Sequence, residues 1–83
     1  MKFQLYSRVA LTEDLPHDAF RRGDVATVVE YYEGAEGQEP GYELEMFNAV
    51  GETIAVITVR ASQIEPLRQD EVLSVRPRNQ MAA

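Results

Sequence analysis

Between residues 24 and 59 three short runs of β-forming residues follow one another, separated by connectors that contain glycine. The first, Asp24-Val25-Ala26-Thr27-Val28-Val29-Glu30-Tyr31-Tyr32, is dense in β-branched and aromatic residues and holds neither Gly nor Pro. The second, Tyr42-Glu43-Leu44-Glu45-Met46-Phe47, alternates apolar and acidic residues. Side chains along a strand alternate between faces, so Tyr42, Leu44 and Met46 share a buried face while Glu43 and Glu45 share a wet one. The third, Thr53 to Val59, is apolar on both faces and suits a strand covered on both sides. The connector Asn48-Ala49-Val50-Gly51-Glu52 is short enough for a hairpin, with Gly51 available for a positive φ angle. A three-strand meander is therefore the frame of the chain.

The chain has 83 residues, and a domain of this length buries only about 60% of the surface its unfolded form exposes. With no cysteine, neither disulfides nor cysteine-based metal sites can stabilise it. Tight strand pairing or oligomerisation must do so instead. A weaker strand is expected around Tyr6 to Leu11, a single helical turn over Pro16 to Arg22 ending before Gly23, and a short 3-10 or helical turn over Ala61 to Leu67 before a last strand or tail. Four to five short strands in this length suggest an all-β fold, a small antiparallel β-barrel with a short helical turn, because closure removes exposed edges. The alternative is an open antiparallel sheet that dimerises along an edge. Residues 1–67 are expected to form the domain and residues 68–83 a flexible C-terminal tail, with frayed residues from Arg76 onward. The N-terminus lacks the apolar run of a signal peptide, and no apolar stretch approaches the roughly 20 residues of a membrane helix, so a cytoplasmic protein with no membrane partner is expected.

The formal net charge is −6, and the acidity belongs to residues 1–67, which carry five basic and twelve acidic residues. This argues against binding nucleic acid by phosphate neutralisation. The single histidine, His17, lies between Pro16 and Asp18 in an expected surface loop, without the orienting acid and nucleophile that catalysis requires. The acids Glu13, Asp14, Asp18, Glu33, Glu36 and Glu39 lack the register of a calcium loop. The Gly34–Gly41 loop lacks the Lys-Ser/Thr ending of a phosphate cradle and carries glutamates that would repel phosphate. Glu43 and Glu45 read as the solvated face of their strand rather than as a glycosidase pair. The Arg21-Arg22 pair is the one dense positive spot of the core, set beside Asp18 and Asp24. The adjacent Tyr31 and Tyr32 must point to opposite faces of the sheet, so at least one is expected to be partly exposed.

The segments Val9-Ala10-Leu11-Thr12-Glu13-Asp14-Leu15-Pro16 and Arg22-Gly23-Asp24-Val25-Ala26-Thr27-Val28-Val29-Glu30 carry a resemblance. Together with the runs Tyr42 to Met46 and Thr53 to Val59, they resemble a family of short bacterial proteins known as domain of unknown function 4926, over about residues 3 to 67. The resemblance implies an SH3-like barrel. The Gly-Asp-Val-x-Thr-Val segment is also similar to ribosomal and transcription-factor modules with a KOW-type turn, although Ala26 stands where a second glycine is usual. Members are often encoded beside toxin-like proteins, and this implies an antitoxin or immunity role. No catalytic residue carries over.

The function expected is a non-enzymatic, protein-binding one, without cofactor or metal, in a monomer or homodimer. Glu30, Glu43, Glu45 and the Gly34–Gly41 loop, with Tyr32, would form an acidic face for a basic partner of the kind encoded nearby, and Arg21 and Arg22 would complete the partner-binding set. The alternative is an RNA- or ribosome-associated module using Arg8, Arg21, Arg22 and exposed tyrosines, against the sign of the net charge.

Overall fold

In the computed structural model, which describes residues 2–78, the β-rich runs pair as the pattern requires. Five strands form: β1 (Arg8–Leu11), β2 (Val25–Tyr32), β3 (Gly41–Phe47), β4 (Thr53–Arg60) and β5 (Ile64–Pro66). They make one antiparallel sheet in the order β4-β3-β2-β1-β5, with 3-10 turns at Pro16–Asp18 and Ala61–Gln63. The β3–β4 hairpin closes at Asn48, whose side-chain oxygen accepts the backbone N–H groups of Val50 (3.1 Å) and Glu52 (2.9 Å). Gly51 there takes the left-handed conformation, at φ 89°.

A register shift in β2 decides which of its side chains face outward. Val28 pairs with Leu44, but the next pair is Glu30 with Glu43, so Val29 is the extra residue of a bulge. Strict alternation from Ala26 and Val28, both buried, would turn Glu30 inward. The bulge resets the phase: Tyr31 packs against the core opposite Tyr42, while Glu30 and Tyr32 emerge on the outer face.

The core lies on the other face. Val9, Leu11, Ala26, Val28, Leu44, Met46, Ile57, Val59 and Ile64 join Phe3, Phe20 and Tyr42 in one cluster. Tyr42 is fully buried, and its phenol oxygen accepts the backbone N–H groups of Lys2 (3.0 Å) and Phe3 (3.2 Å), which draws the N-terminal arm onto the core. The Phe3 ring meets the Tyr42 ring edge-on at 5.2 Å.

Two sequence expectations need correction. The hydrogen-bonded sheet is open rather than closed into a barrel: β4 and β5 lie at its two ends, even though Ile57, Val59 and Ile64 from those strands meet in the same core. β5 pairs only with β1 and ends at Pro66, which has no N–H to extend the ladder. The helical turn begins at Pro16 as expected but stops at Asp18, with Ala19 in the left-handed region (φ 61°) as its cap. Gly23 (φ 91°) serves a separate turn, in which Asp24 N–H donates to the Arg21 carbonyl at 3.0 Å. Residues 79–83, part of the segment expected to fray, lie outside the described residues.

Candidate functional site

β2 and β3 place Thr27 opposite Glu45 on the outer face of the sheet, and past the bulge they bring Glu30 directly opposite Glu43 on the same face. Glu30 is exposed, whereas Glu43 and Glu45 are half-buried. Like charges in directly opposed positions destabilise a strand pair, so this arrangement works against the sheet. Each carboxylate is met by a neutral donor: Tyr31 N–H donates to Glu30 Oε1 (3.0 Å), the Tyr32 hydroxyl to Glu43 Oε2 (3.3 Å), and the Thr53 hydroxyl to Glu45. None of the ion pairs among the described residues includes Glu30, Glu43 or Glu45. Partial desolvation, the neighbouring Glu43 charge and its hydrogen bond, and Glu30 together hold the Tyr32 phenol above its ordinary value.

The surroundings of this row are mixed. On the β4 side Glu45 faces Val56, which is 55% exposed, and Glu43 faces Thr58. Arg8 lies opposite Thr27 on β1, and Arg60 opposite Gly41 on β4, so a cation stands on each side of the row, and neither forms an ion pair with it among the described residues. In the β2–β3 loop Glu39 has a structural task. It accepts the Ser62 N–H (2.7 Å) and the Ser62 hydroxyl (2.9 Å) and sits 3.6 Å from Arg60. Those donors, above all the Ser62 backbone N–H, hold its carboxyl below the usual carboxylate range.

The six residues expected to bind a partner divide in two. Glu30, Glu43, Glu45 and Tyr32 share the outer face of β2–β3. Arg21 and Arg22 lie in the β1–β2 loop, before the opposite end of β2. Their backbone groups stabilise that loop: Arg21 N–H donates to Asp24 Oδ2 (2.8 Å) and Arg22 N–H to Asp14 Oδ1 (2.9 Å). Asp24 forms its ion pair with Arg76 of the C-terminal segment, a partner 52 residues away that no local pattern announces. His17 is exposed in the Pro16–Asp18 turn and lines a shallow surface depression with Glu13, Asp14 and Gln63. Among the described residues no group of three or more His, Cys, Asp or Glu side chains could hold a metal ion. No helix among them is long and apolar enough to cross a membrane.

No curated protein and no solved structure matches the chain. A family match covers residues 5–66, from just before β1 to the last residue of β5, and so takes in the whole sheet with the row of glutamates on it. The chain belongs to the family described as Domain of unknown function (DUF4926).

Proposed function

We propose that this chain is a non-enzymatic protein-binding module, antitoxin-like or accessory, that masks a basic surface of a cytoplasmic protein partner. The observation that carries this reading is the outer face of β2–β3, where Glu30, Glu43 and Glu45 gather with no cation on them. A basic partner would relieve the opposition of Glu30 and Glu43, and complementary charge speeds association and excludes wrong partners. Tyr32, 46% exposed and bonded to Glu43, adds an aromatic edge suited to an interface. The fold is read here as SH3-like. The strand order β4-β3-β2-β1-β5 and the 3-10 turn between β4 and β5 support that reading.

The test is affinity capture from host lysate with the wild-type chain and with Glu43→Lys/Glu45→Lys, each eluate analysed for protein and nucleic acid. Both positions are on the outer face, so the variant should fold. The expected result is one stoichiometric basic protein on the wild type that is lost from the variant. Nuclease-sensitive material that binds the variant better than the wild type would overturn the reading in favour of an RNA-associated module.

A further inference from the structure

Arg76 and Arg78 bring the C-terminal segment beyond β5 back onto the β1–β2 loop. Arg76 presents two nitrogens to the two carboxylate oxygens of Asp24, with Nε at 3.3 Å from Oδ1 and Nη2 on Oδ2. This is the forked geometry that guanidinium and carboxylate favour. The two side chains keep only 28% and 22% of their exposure, the lowest values of any ion pair among the described residues. Two residues on, the Arg78 guanidinium lies 4.7 Å from the centroid of the buried Phe20 ring, and its Nη2 donates to the Asp18 carbonyl at 3.3 Å. Pro77 stands between them and fixes φ.

The loop has hydrogen bonds of its own that do not involve the two arginines. Leu15 and Phe20 exchange backbone hydrogen bonds (2.9 and 3.3 Å), Arg22 N–H holds Asp14, and Arg21 N–H orients the Asp24 carboxylate. Among the described residues, the tail anchors to the loop through the side chains of Arg76 and Arg78. None of the backbone hydrogen bonds among the described residues joins residues 72–78 to the rest of the chain. Val72, Leu73 and Val75 point to solvent, at 91%, 59% and 84% exposure. A structural strand would bury those residues or pair its backbone. Arg76 also leaves Nη1 buried without an acceptor among the described residues, a cost that favours release.

We infer that the β1–β2 loop is a receptor for a segment bearing arginines two positions apart, and that Arg76-Pro77-Arg78 occupies it in cis as a detachable strap. Asp24 takes the first guanidinium, and Phe20 with the Asp18 carbonyl takes the second. The short tether from Leu67 gives the tail a high effective concentration at the loop, so a free peptide of the same sequence is excluded while the tail stays in place. This surface lies beyond the opposite end of β2 from the row of glutamates and does not depend on their role.

The experiment uses the full chain, isotope-labelled, and a synthetic peptide of residues 71–78 as the probe. In Arg76→Ala/Arg78→Ala the loop is vacated, and the peptide is expected to shift the backbone amide resonances of residues 14–24. Its affinity there should exceed that for the wild type by at least about tenfold, because in the wild type the tethered tail competes. A peptide with both arginines changed to lysine should bind several-fold more weakly, since an ammonium cannot fork. Adding Asp24→Asn should abolish binding while the resonances of Glu30–Tyr32 stay in place. Absence of shifts at 14–24, or equal affinity for wild type and double variant, overturns the inference. So does failure of the double variant to fold, because a detachable occupant is not required for folding.

Discussion

The two ends of β2 both carry acids, and the protein treats them in opposite ways. At the start of the strand, Asp24 is a half-buried carboxylate bonded by Arg21 N–H and by the Arg76 guanidinium. At its far end, Glu30 and Glu43 oppose each other with only a backbone N–H and a phenol for relief. The first arrangement stabilises the fold, and the second costs stability on a surface that the fold does not need. Net charge alone does not separate them; the presence or absence of a cation does.

The largest effect should follow from breaking the far end outright. A Cβ at Gly34 would fall against the carbonyl oxygens of Gln38 and Glu39, which belong to the backbone and cannot swing aside. Gly34→Ala should cost about 3 kcal/mol of stability by denaturant titration. Amide resonances should move around Tyr32 and Gly41 and stay unchanged in residues 14–24. Shifts spread evenly over both ends would mean that the two regions do not behave independently.

Next in size is Asp24→Ala, which removes the acceptor for both Arg21 N–H and Arg76. A loss of about 2 kcal/mol is expected, below the cost at a fully buried pair because both side chains retain some exposure. The informative control is the opposite end. Glu43→Gln keeps an oxygen for the Tyr32 hydroxyl while deleting the charge that faces Glu30, and should raise stability by about 0.5 kcal/mol. Neutralising an acid thus lowers the melting temperature at one end and raises it at the other. The same sign at both ends would abolish the distinction.

Much of this was legible in the sequence, for a definite reason. The alternation of Tyr42 to Phe47 sets the two faces of β3 unaided, and the β-branched density of Val25 to Tyr32 and Thr53 to Val59 marks its neighbours. The pairing of Glu43 and Glu45 on a wet face follows directly. What was not legible depends on geometry beyond the strand. Nothing in Val28-Val29-Glu30 announces the bulge that turns Glu30 outward, and the open sheet depends on β5 ending at Pro66. Arg21 and Arg22 read as a positive spot, yet their backbone N–H groups make the local hydrogen bonds to Asp24 and Asp14, and the guanidinium on Asp24 comes from a remote segment. Ala19, with no compositional signal for a positive φ, takes the cap position that Gly23 was expected to hold.

The smallest effect sharpens the comparison most, because it reads the local field at the far end directly. Tyr32 has its phenol raised above the ordinary value of 10.0, first by partial desolvation and then by Glu43 and Glu30. A phenol raised in the folded state favours folding fully below its unfolded value, and that contribution fades as pH climbs through the folded value. The dependence therefore lies in alkaline solution, above about pH 10. Subtracting the phenolate absorbance titration of Tyr32→Phe from that of the wild type isolates this one group. In Glu43→Gln the same difference titration should move down toward the ordinary value without reaching it, since desolvation and Glu30 remain. Asp24→Asn should leave it where it was. If Glu43→Gln leaves the titration unmoved, the carboxylate does not act on Tyr32, and the far end loses the electrostatic tension that sets it apart from the loop.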